Sequence, residues 1–360
     1  MKKNISLLLA LTLASFLYSC DDNISDSSQN LRDEYTSVEQ LLEDIDFSGT
    51  ILVRKEEEDI VRSGFGFSDA SENMKNGIHH IFRIGSMTKS FTAMGLVHLK
   101  RDGLIQSYDQ PISDFVEDFP RGEDITLRHL LTHYTGIRDY TFPVEQYIES
   151  QNVYITPDEI MEIVTESIAE DGLIFEPGAQ FAYSNSNYLL LGLLIEALTD
   201  MSYHEYLKIK IIDPLDLSST EEGPDVMSGA LYAKGYHNGA EVAPYSMQIA
   251  YSAGDLISTI SDMEKWGDAI LGDEYLTAEE KSEIFAEPAS EDGFYTPGLG
   301  WYTIRVEGTL MHYHGGDIAG YSSLIALLPE SQSLIIILGN DEDGGIKRNT
   351  IQDMMAKYEF

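Results

Sequence analysis

Ile81-Phe82-Arg83-Ile84-Gly85-Ser86-Met87-Thr88-Lys89 places a hydroxyl and an amine three residues apart at the point where the pattern of the chain changes. From Ser86 onward Met87, Phe91, Met94, Val97 and Leu99 fit one helical face, and Asp102-Gly103 supplies a stop. On a helix, residues three apart share a face, so the Lys89 amine can approach the Ser86 hydroxyl. A serine hydroxyl is a poor nucleophile at neutral pH and needs a nearby base. A lysine acts as one only when desolvation or a cationic neighbour lowers its pKa. Ser86 also opens the expected helix, where backbone N–H groups and the dipole favour developing negative charge. Alone, Ser-x-x-Lys is a weak signal, arising about once by chance in a chain of this length as an N-cap serine followed by an exposed lysine.

Working outward, Gly49 to Arg54 and Ile60 to Phe67 read as an antiparallel hairpin around the charged turn Lys55 to Asp59. Residues 104 to 275 read mostly as helix and loop, and Tyr188 to Leu198, apolar nearly all round, reads as a buried helix. Strands return at Gly298 to Val306, Gly308 to Tyr313, Tyr321 to Leu328 and Leu334 to Leu338, with a turn at Pro329 to Ser333. Ile346, Ile351, Met354, Met355 and Tyr358 predict a closing helix.

The 360 residues are 43% hydrophobic, enough for a sizeable core. A net charge of -38 repels phosphate backbones and argues against a nucleic-acid partner. Lys2 and Lys3 precede an apolar run, Ile5 to Leu17, that is too short to span a bilayer and has the length of a signal segment. It ends in Leu17-Tyr18-Ser19-Cys20, which resembles a bacterial lipobox, so residues 1–20 are expected to be a lipoprotein signal with Cys20 lipidated. Cys20 is the only cysteine, so no intramolecular disulfide can form. The polar stretch that follows, residues 21–44, is expected to be a flexible tether. The expected partners are a membrane, through that lipid, and a small-molecule or peptide substrate; no required protein partner is evident.

Two further motifs follow in order. Glu176-Pro177-Gly178 leads into Tyr183-Ser184-Asn185, and His312-Tyr313-His314-Gly315-Gly316-Asp317 lies among the late strands. With these, the Ile81–Lys89 segment resembles the nucleophile region of class C β-lactamases, DD-peptidases and related esterases and D-aminopeptidases. Leu130-Leu131-Thr132-His133-Tyr134-Thr135-Gly136 and Ser252-Ala253-Gly254-Asp255-Leu256 match as well, so the resemblance covers nearly the whole chain after the tether.

The resemblance implies an α/β (α+β) fold of the β-lactamase/transpeptidase kind. An antiparallel sheet flanked by helices (residues 45–103 and 276–360) carries an inserted, mostly helical domain (104–275), the whole domain being 45–360. It implies Ser86 as the acylated nucleophile, with Lys89 and Tyr183 managing its proton. A phenol of pKa about 10 serves as a base only beside a cation, and Lys89 is the partner the motif provides. It implies that Asn185 positions the carbonyl side of the substrate, that His314 replaces the usual lysine of Lys-Thr-Gly, and that the backbone N–H groups of Ser86 and Asp317 form the oxyanion hole. Gly316 is expected to let the substrate approach the strand closely. His133 is expected to be a hydrogen-bonded structural histidine.

His312-x-His314 puts two rings on one face of a strand, but no third ligand accompanies them, so no metal or cofactor is expected. Gly315 lacks the hydroxyl with which Lys-Thr-Gly or His-Thr-Gly enzymes bind a carboxylate, and His314 is a weaker, pH-dependent cation than lysine. Both count against penicillins. The expected activity is that of a serine hydrolase acting through a covalent acyl-enzyme on an ester or amide, with D-amino-acid peptides and β-lactams open as substrates. A catalytically silent envelope binding protein on the same scaffold and a metallohydrolase are the alternatives.

Overall fold

Leu334-Ile335-Ile336-Ile337-Leu338 is buried at every position, which is why it lacks the polar alternation of a one-sided strand. In the computed structural model, which describes residues 40, 42, 46–141, 143–146, 154–287, 295–306 and 308–342, this run sits inside a seven-stranded antiparallel sheet. The expected signal segment, tether, Cys20 and closing helix lie outside the described residues, apart from positions 40 and 42. The strands of the large sheet and of a three-stranded one are, in chain order, β1 (Gly49–Lys55), β2 (Glu58–Phe65), β3 (Phe82–Arg83), β4 (Glu221–Glu222), β5 (Leu256–Ser258), β6 (Thr296–Pro297), β7 (Tyr302–Val306), β8 (Thr309–Ile318), β9 (Tyr321–Leu328) and β10 (Ser333–Gly339). The large sheet has the order β6-β7-β8-β9-β10-β1-β2, so the N-terminal hairpin docks onto the last strand with Ile51 opposite Ile337 and Val53 opposite Ile335.

The chain divides into two compact units. One comprises the described residues up to Ser90, Lys208–Tyr245 and the described residues from Gly254 onward; it contains all of these strands. On one face of its large sheet Ile51, Val53, Ala326, Ile335 and Ile337 join Met311 and Phe47 in a buried cluster. Each of these side chains larger than alanine contributes about 1.5–3 kcal/mol on full burial. The other face is covered by helix Ile260–Leu271, whose Gly267 would, with a Cβ, come within 2.8 Å of Leu334 and 3.4 Å of Leu327. The glycine lets the helix press on the sheet. Thr259 caps this helix by accepting from the Asp262 N–H.

The other unit comprises the described residues of Phe91–Leu207 and Ser246–Ala253. Its helices include α1 (Thr88–Arg101, which begins in the sheet unit), α2 (Leu127–Leu131), α3 (Pro157–Asp171) and α4 (Asn185–Thr199). Helix α1 ends as expected, with Gly103 in the left-handed region at φ +75°. Helix α4 is buried along Ser186–Gly192, with α2 and α3 packed on it, and Tyr188 Oη donates to the Leu131 carbonyl at 2.8 Å. Its Gly192 admits Ser252, whose Oγ donates to the Tyr188 carbonyl at 2.9 Å.

The chain departs from the sequence expectation in several places. Ser86 lies in a 3₁₀ turn, Gly85–Met87, and the α-helix starts at Thr88. The turn tightens because Met87 N–H bonds back to the Ile84 carbonyl, an i to i+3 pairing. The expected strand 308–313 runs on to Ile318, carrying the His314 motif within it. The strand expected over 298–306 begins only at Tyr302, after a turn closed by Gly298 N–H on the Trp301 carbonyl. Within 104–275, β5 pairs with β3 on one side and β4 on the other, and both β4 and β5 join the sheet unit; two- and three-residue strands carry no readable period.

Candidate active site

The nucleophile turn is positioned by β3 and by the late strands. The Ile84 N–H bonds to the Leu256 carbonyl at 3.0 Å, and Thr88 Oγ1 accepts the Leu256 N–H at 3.2 Å. Ser323 Oγ, from β9, donates to the Ile84 carbonyl at 2.8 Å and lies 3.2 Å from the Gly316 carbonyl. Gly85 takes φ +50°, a conformation that favours glycine, and a Cβ there would stand 3.1 Å from the Asp317 nitrogen. Within this frame Lys89 Nζ donates to Ser86 Oγ at 3.0 Å, with Lys89 wholly buried and Ser86 partly exposed.

Gly316 faces that turn directly. A Cβ on it would lie 2.1 Å from the Ile84 carbonyl oxygen and 2.9 Å from the Ser86 nitrogen. The side on which a Cβ would stand is occupied by the protein's own nucleophile turn. Gly315, by contrast, has ordinary room, its nearest neighbour being the Ser323 carbonyl at 3.6 Å.

The two histidines of the strand are set by different partners. His314 is buried, and its Nδ1 lies 2.6 Å from the Gly315 carbonyl oxygen. A carbonyl only accepts, so Nδ1 carries a proton and donates it to Gly315. His312 stacks on Phe285 at 3.8 Å and exchanges a hydrogen bond with Thr303 Oγ1 at 2.8 Å. Burial pushes its pKa down to about 4, so it is neutral at neutral pH.

In the helical unit the segment leading into α4 carries Tyr183 and Asn185. The Tyr183 ring lies 4.4 Å from that of His133, which itself takes φ +62°. His133 Nδ1 accepts the Ser184 N–H at 3.2 Å and faces Asn187 Nδ2 at 3.3 Å, so it is the hydrogen-bonded structural histidine expected. Asn185 donates through Nδ2 to Asp139 Oδ2 at 3.0 Å and to Thr141 Oγ1 at 3.1 Å. Its side-chain NH₂ group thus has two acceptors within the protein.

The sheet unit thus gathers Ser86, Lys89, Gly316 and Asp317, with His314 two residues along the same strand, while Tyr183 and Asn185 share one segment of the helical unit. Sequence reasoning missed Ser323, Asp139 and Thr141. A serine in a strand and an Asp-Tyr-Thr turn carry no local mark of such roles.

A serine on the 3₁₀ turn before a helix and a lysine on the helix's first turn, held against an antiparallel sheet, define a β-lactamase-like hydrolase fold. The Beta-lactamase family model matches residues 37–353, and the chain belongs to that family. It is 27% identical over 312 residues to PbpX of Bacillus subtilis (strain 168), provisionally named a penicillin-binding protein, covering 86% of this chain and 74% of that one. The octameric penicillin-binding protein homologue from Pyrococcus abyssi superposes with a TM-score of 0.75 at 25% identity, over 92% of this chain and 76% of its own. The D-amino acid amidase from Ochrobactrum anthropi SV3 shares the fold with a TM-score of 0.74 at 23% identity, over 92% and 99% of the two chains.

Proposed function

We propose that this protein is a serine hydrolase that transfers an acyl group to Ser86 and then to water. Ser86 Oγ attacks the substrate carbonyl, Lys89 and Tyr183 take its proton and pass it to the leaving group, and a water molecule hydrolyses the resulting ester. The backbone N–H groups of Ser86 and Asp317 receive the oxyanion, each such donor contributing typically about 2.7–4 kcal/mol. Asn185 and His314 hold the substrate. One observation carries the reading: the buried Lys89 amine sits 3.0 Å from Ser86 Oγ, within reach of the proton that must leave. The roles of Tyr183 and Asn185 rest on the order of the motifs along the chain.

The substrate is a small ester or amide. Gly315 presents no hydroxyl for a carboxylate, so β-lactams are turned over slowly. The same reading places the protein in the cell envelope, held by a lipid on Cys20; the Leu17–Cys20 segment and the penicillin-binding names of relatives support this. Among the described residues no helix is long and apolar enough to cross a membrane.

A fluorophosphonate probe tests the nucleophile, with mass analysis locating the adduct on Ser86 and no labelling in Ser86→Ala. Nitrocefin and p-nitrophenyl acetate test the substrate class; efficient nitrocefin turnover with negligible esterase activity would refute it. A membrane fraction that is lost in Cys20→Ala tests the anchor.

A further inference from the structure

His312 has no place in the chemistry at Ser86, yet it lines an open cavity of about 280 Å³ that lies wholly within the sheet unit. Ile270 and Leu271 at the end of the helix Ile260–Leu271, with Phe285, Leu310 and Pro329, supply its apolar walls. An apolar cavity of roughly 150 Å³ already takes benzene, so this one has room for a substituted ring. Residues two apart on a strand share a face, so His312 and Gly316 of β8 lie on the same side with about 13 Å of strand between them. The cavity is therefore a place apart from the contact that Gly316 makes with the nucleophile turn.

Hydrogen bonding fixes which nitrogen of the His312 ring carries its proton. The ring is neutral at neutral pH, because burial holds its pKa at about 4. Its Nδ1 lies 2.8 Å from Thr303 Oγ1, and the wholly buried Thr303 hydroxyl has no other partner among the described residues. If Nδ1 donated, the hydroxyl hydrogen would stay buried without an acceptor; an unused lone pair costs less. Thr303 therefore donates, Nδ1 accepts, and the proton sits on Nε2. Phe285 covers one face of the ring at 3.8 Å, and Nε2 has no hydrogen-bond partner among the described residues. His312 is 7% exposed, and Nε2–H is the donor it brings to the cavity. Lys281 lines the cavity too, but its Nζ already donates to the Leu271 carbonyl at 2.7 Å and to Asp273 Oδ1 at 2.8 Å. With that cation matched, Glu287 makes the lining acidic, on a chain of net charge -38, so an anion is disfavoured. We propose that this cavity is a ligand site separate from Ser86, for a small uncharged molecule that joins an apolar ring to one carbonyl group, whose oxygen accepts from His312 Nε2.

Three probes of similar size test this: acetophenone, ethylbenzene, which lacks the acceptor, and benzoate, which adds a charge. NMR titration of the full chain carrying isotope-labelled histidine reads each of them at the His312 ring, whose signal is assigned by its absence in His312→Gln. Acetophenone is expected to shift that signal with a Kd of about 1 mM or tighter. Ethylbenzene leaves a buried donor unpaired and benzoate meets an acidic lining, so each is expected to bind about tenfold more weakly or worse. Leu310→Trp extends a partly exposed side chain into the cavity and is expected to weaken acetophenone by about tenfold or more, its thermal melt showing that it folds. The probe comparison uses the wild type alone, so it stands even where a variant fails to fold. A His312 signal unmoved by acetophenone at about ten times the expected Kd overturns the proposal. So does ethylbenzene or benzoate binding as tightly as acetophenone, and so does unchanged acetophenone binding in a folded Leu310→Trp.

Discussion

Gly316 and Ser86 meet backbone to backbone: the position a Cβ would take on Gly316 is 2.9 Å from the Ser86 nitrogen and 2.1 Å from the Ile84 carbonyl oxygen. Both neighbours are backbone and cannot rotate aside. Gly316→Ala is therefore expected to displace the nucleophile turn, costing about 1–3 kcal/mol in stability as overpacking does. Fluorophosphonate labelling should slow by about 100-fold, the cost of one misplaced catalytic contact. Gly315→Ala, with 3.6 Å to its nearest neighbour, should stay within about 0.5 kcal/mol of the wild type. Thermal melts and labelling rates on the pair check both halves of this contrast.

Lys89 is expected to be needed for its amine rather than for its bulk. Lys89→Met keeps an unbranched chain in the buried site and should cut the rate of Ser86 acylation by about 10²–10⁴, the usual contribution of a general base. Lys89→Arg keeps a charge but cannot release a proton, so it should not restore the rate. Single-turnover labelling, read by intact mass, distinguishes these outcomes from a variant that acylates normally.

His312 makes the fold acid-sensitive. Its pKa is about 4 in the folded protein and about 6.5 in an unfolded chain. Above pH 6.5 neither state is protonated, and the group contributes no pH dependence. As pH falls through 6.5 the unfolded chain takes up the proton while the folded one does not, so stability is lost until about pH 4 and levels off below. The loss amounts to about 3 kcal/mol over that window. His312→Gln, which can still bond Thr303, should lose less stability than the wild type between pH 7 and pH 4. Urea unfolding of both proteins at the two pH values measures the difference, and equal losses would refute it.

Ser323 is expected to act on the site from the strand behind it. Its hydroxyl ties the Ile84 carbonyl to β9, close to the Gly316 carbonyl. Ser323→Ala leaves the Ile84 carbonyl without this donor and should cost about 1–3 kcal/mol. Acylation should slow as well, because the turn that carries Ser86 loses its tether. Ser323→Thr keeps the hydroxyl and should recover most of both, as denaturation midpoints and labelling rates will show.

Much of the fold is legible in the chain because the relevant physics is local. The apolar run Leu334–Leu338 declares a strand buried on both faces, and Asp102-Gly103 declares the end of α1. Thr156-Pro157-Asp158-Glu159 even spells out a capping box for α3, with Thr156 and Glu159 each bonding the other's backbone. These signals act across four residues or fewer, so sequence and structure agree on them. Strands β3, β4 and β5 are too short to show a period and exist only because they pair with one another.

The same division runs through the site around Ser86. Sequence alone determined that a hydroxyl and an amine share one helical turn, since three residues set that spacing. Tertiary structure alone decided that Gly316 must be bare to admit Ile84 and Ser86, a contact between segments far apart in the chain. It alone decided which edge of Asn185 is spent on Asp139, 46 residues away. An asparagine presents a donor or an acceptor according to what lies beside it, and that neighbour is chosen by folding rather than by the adjoining sequence.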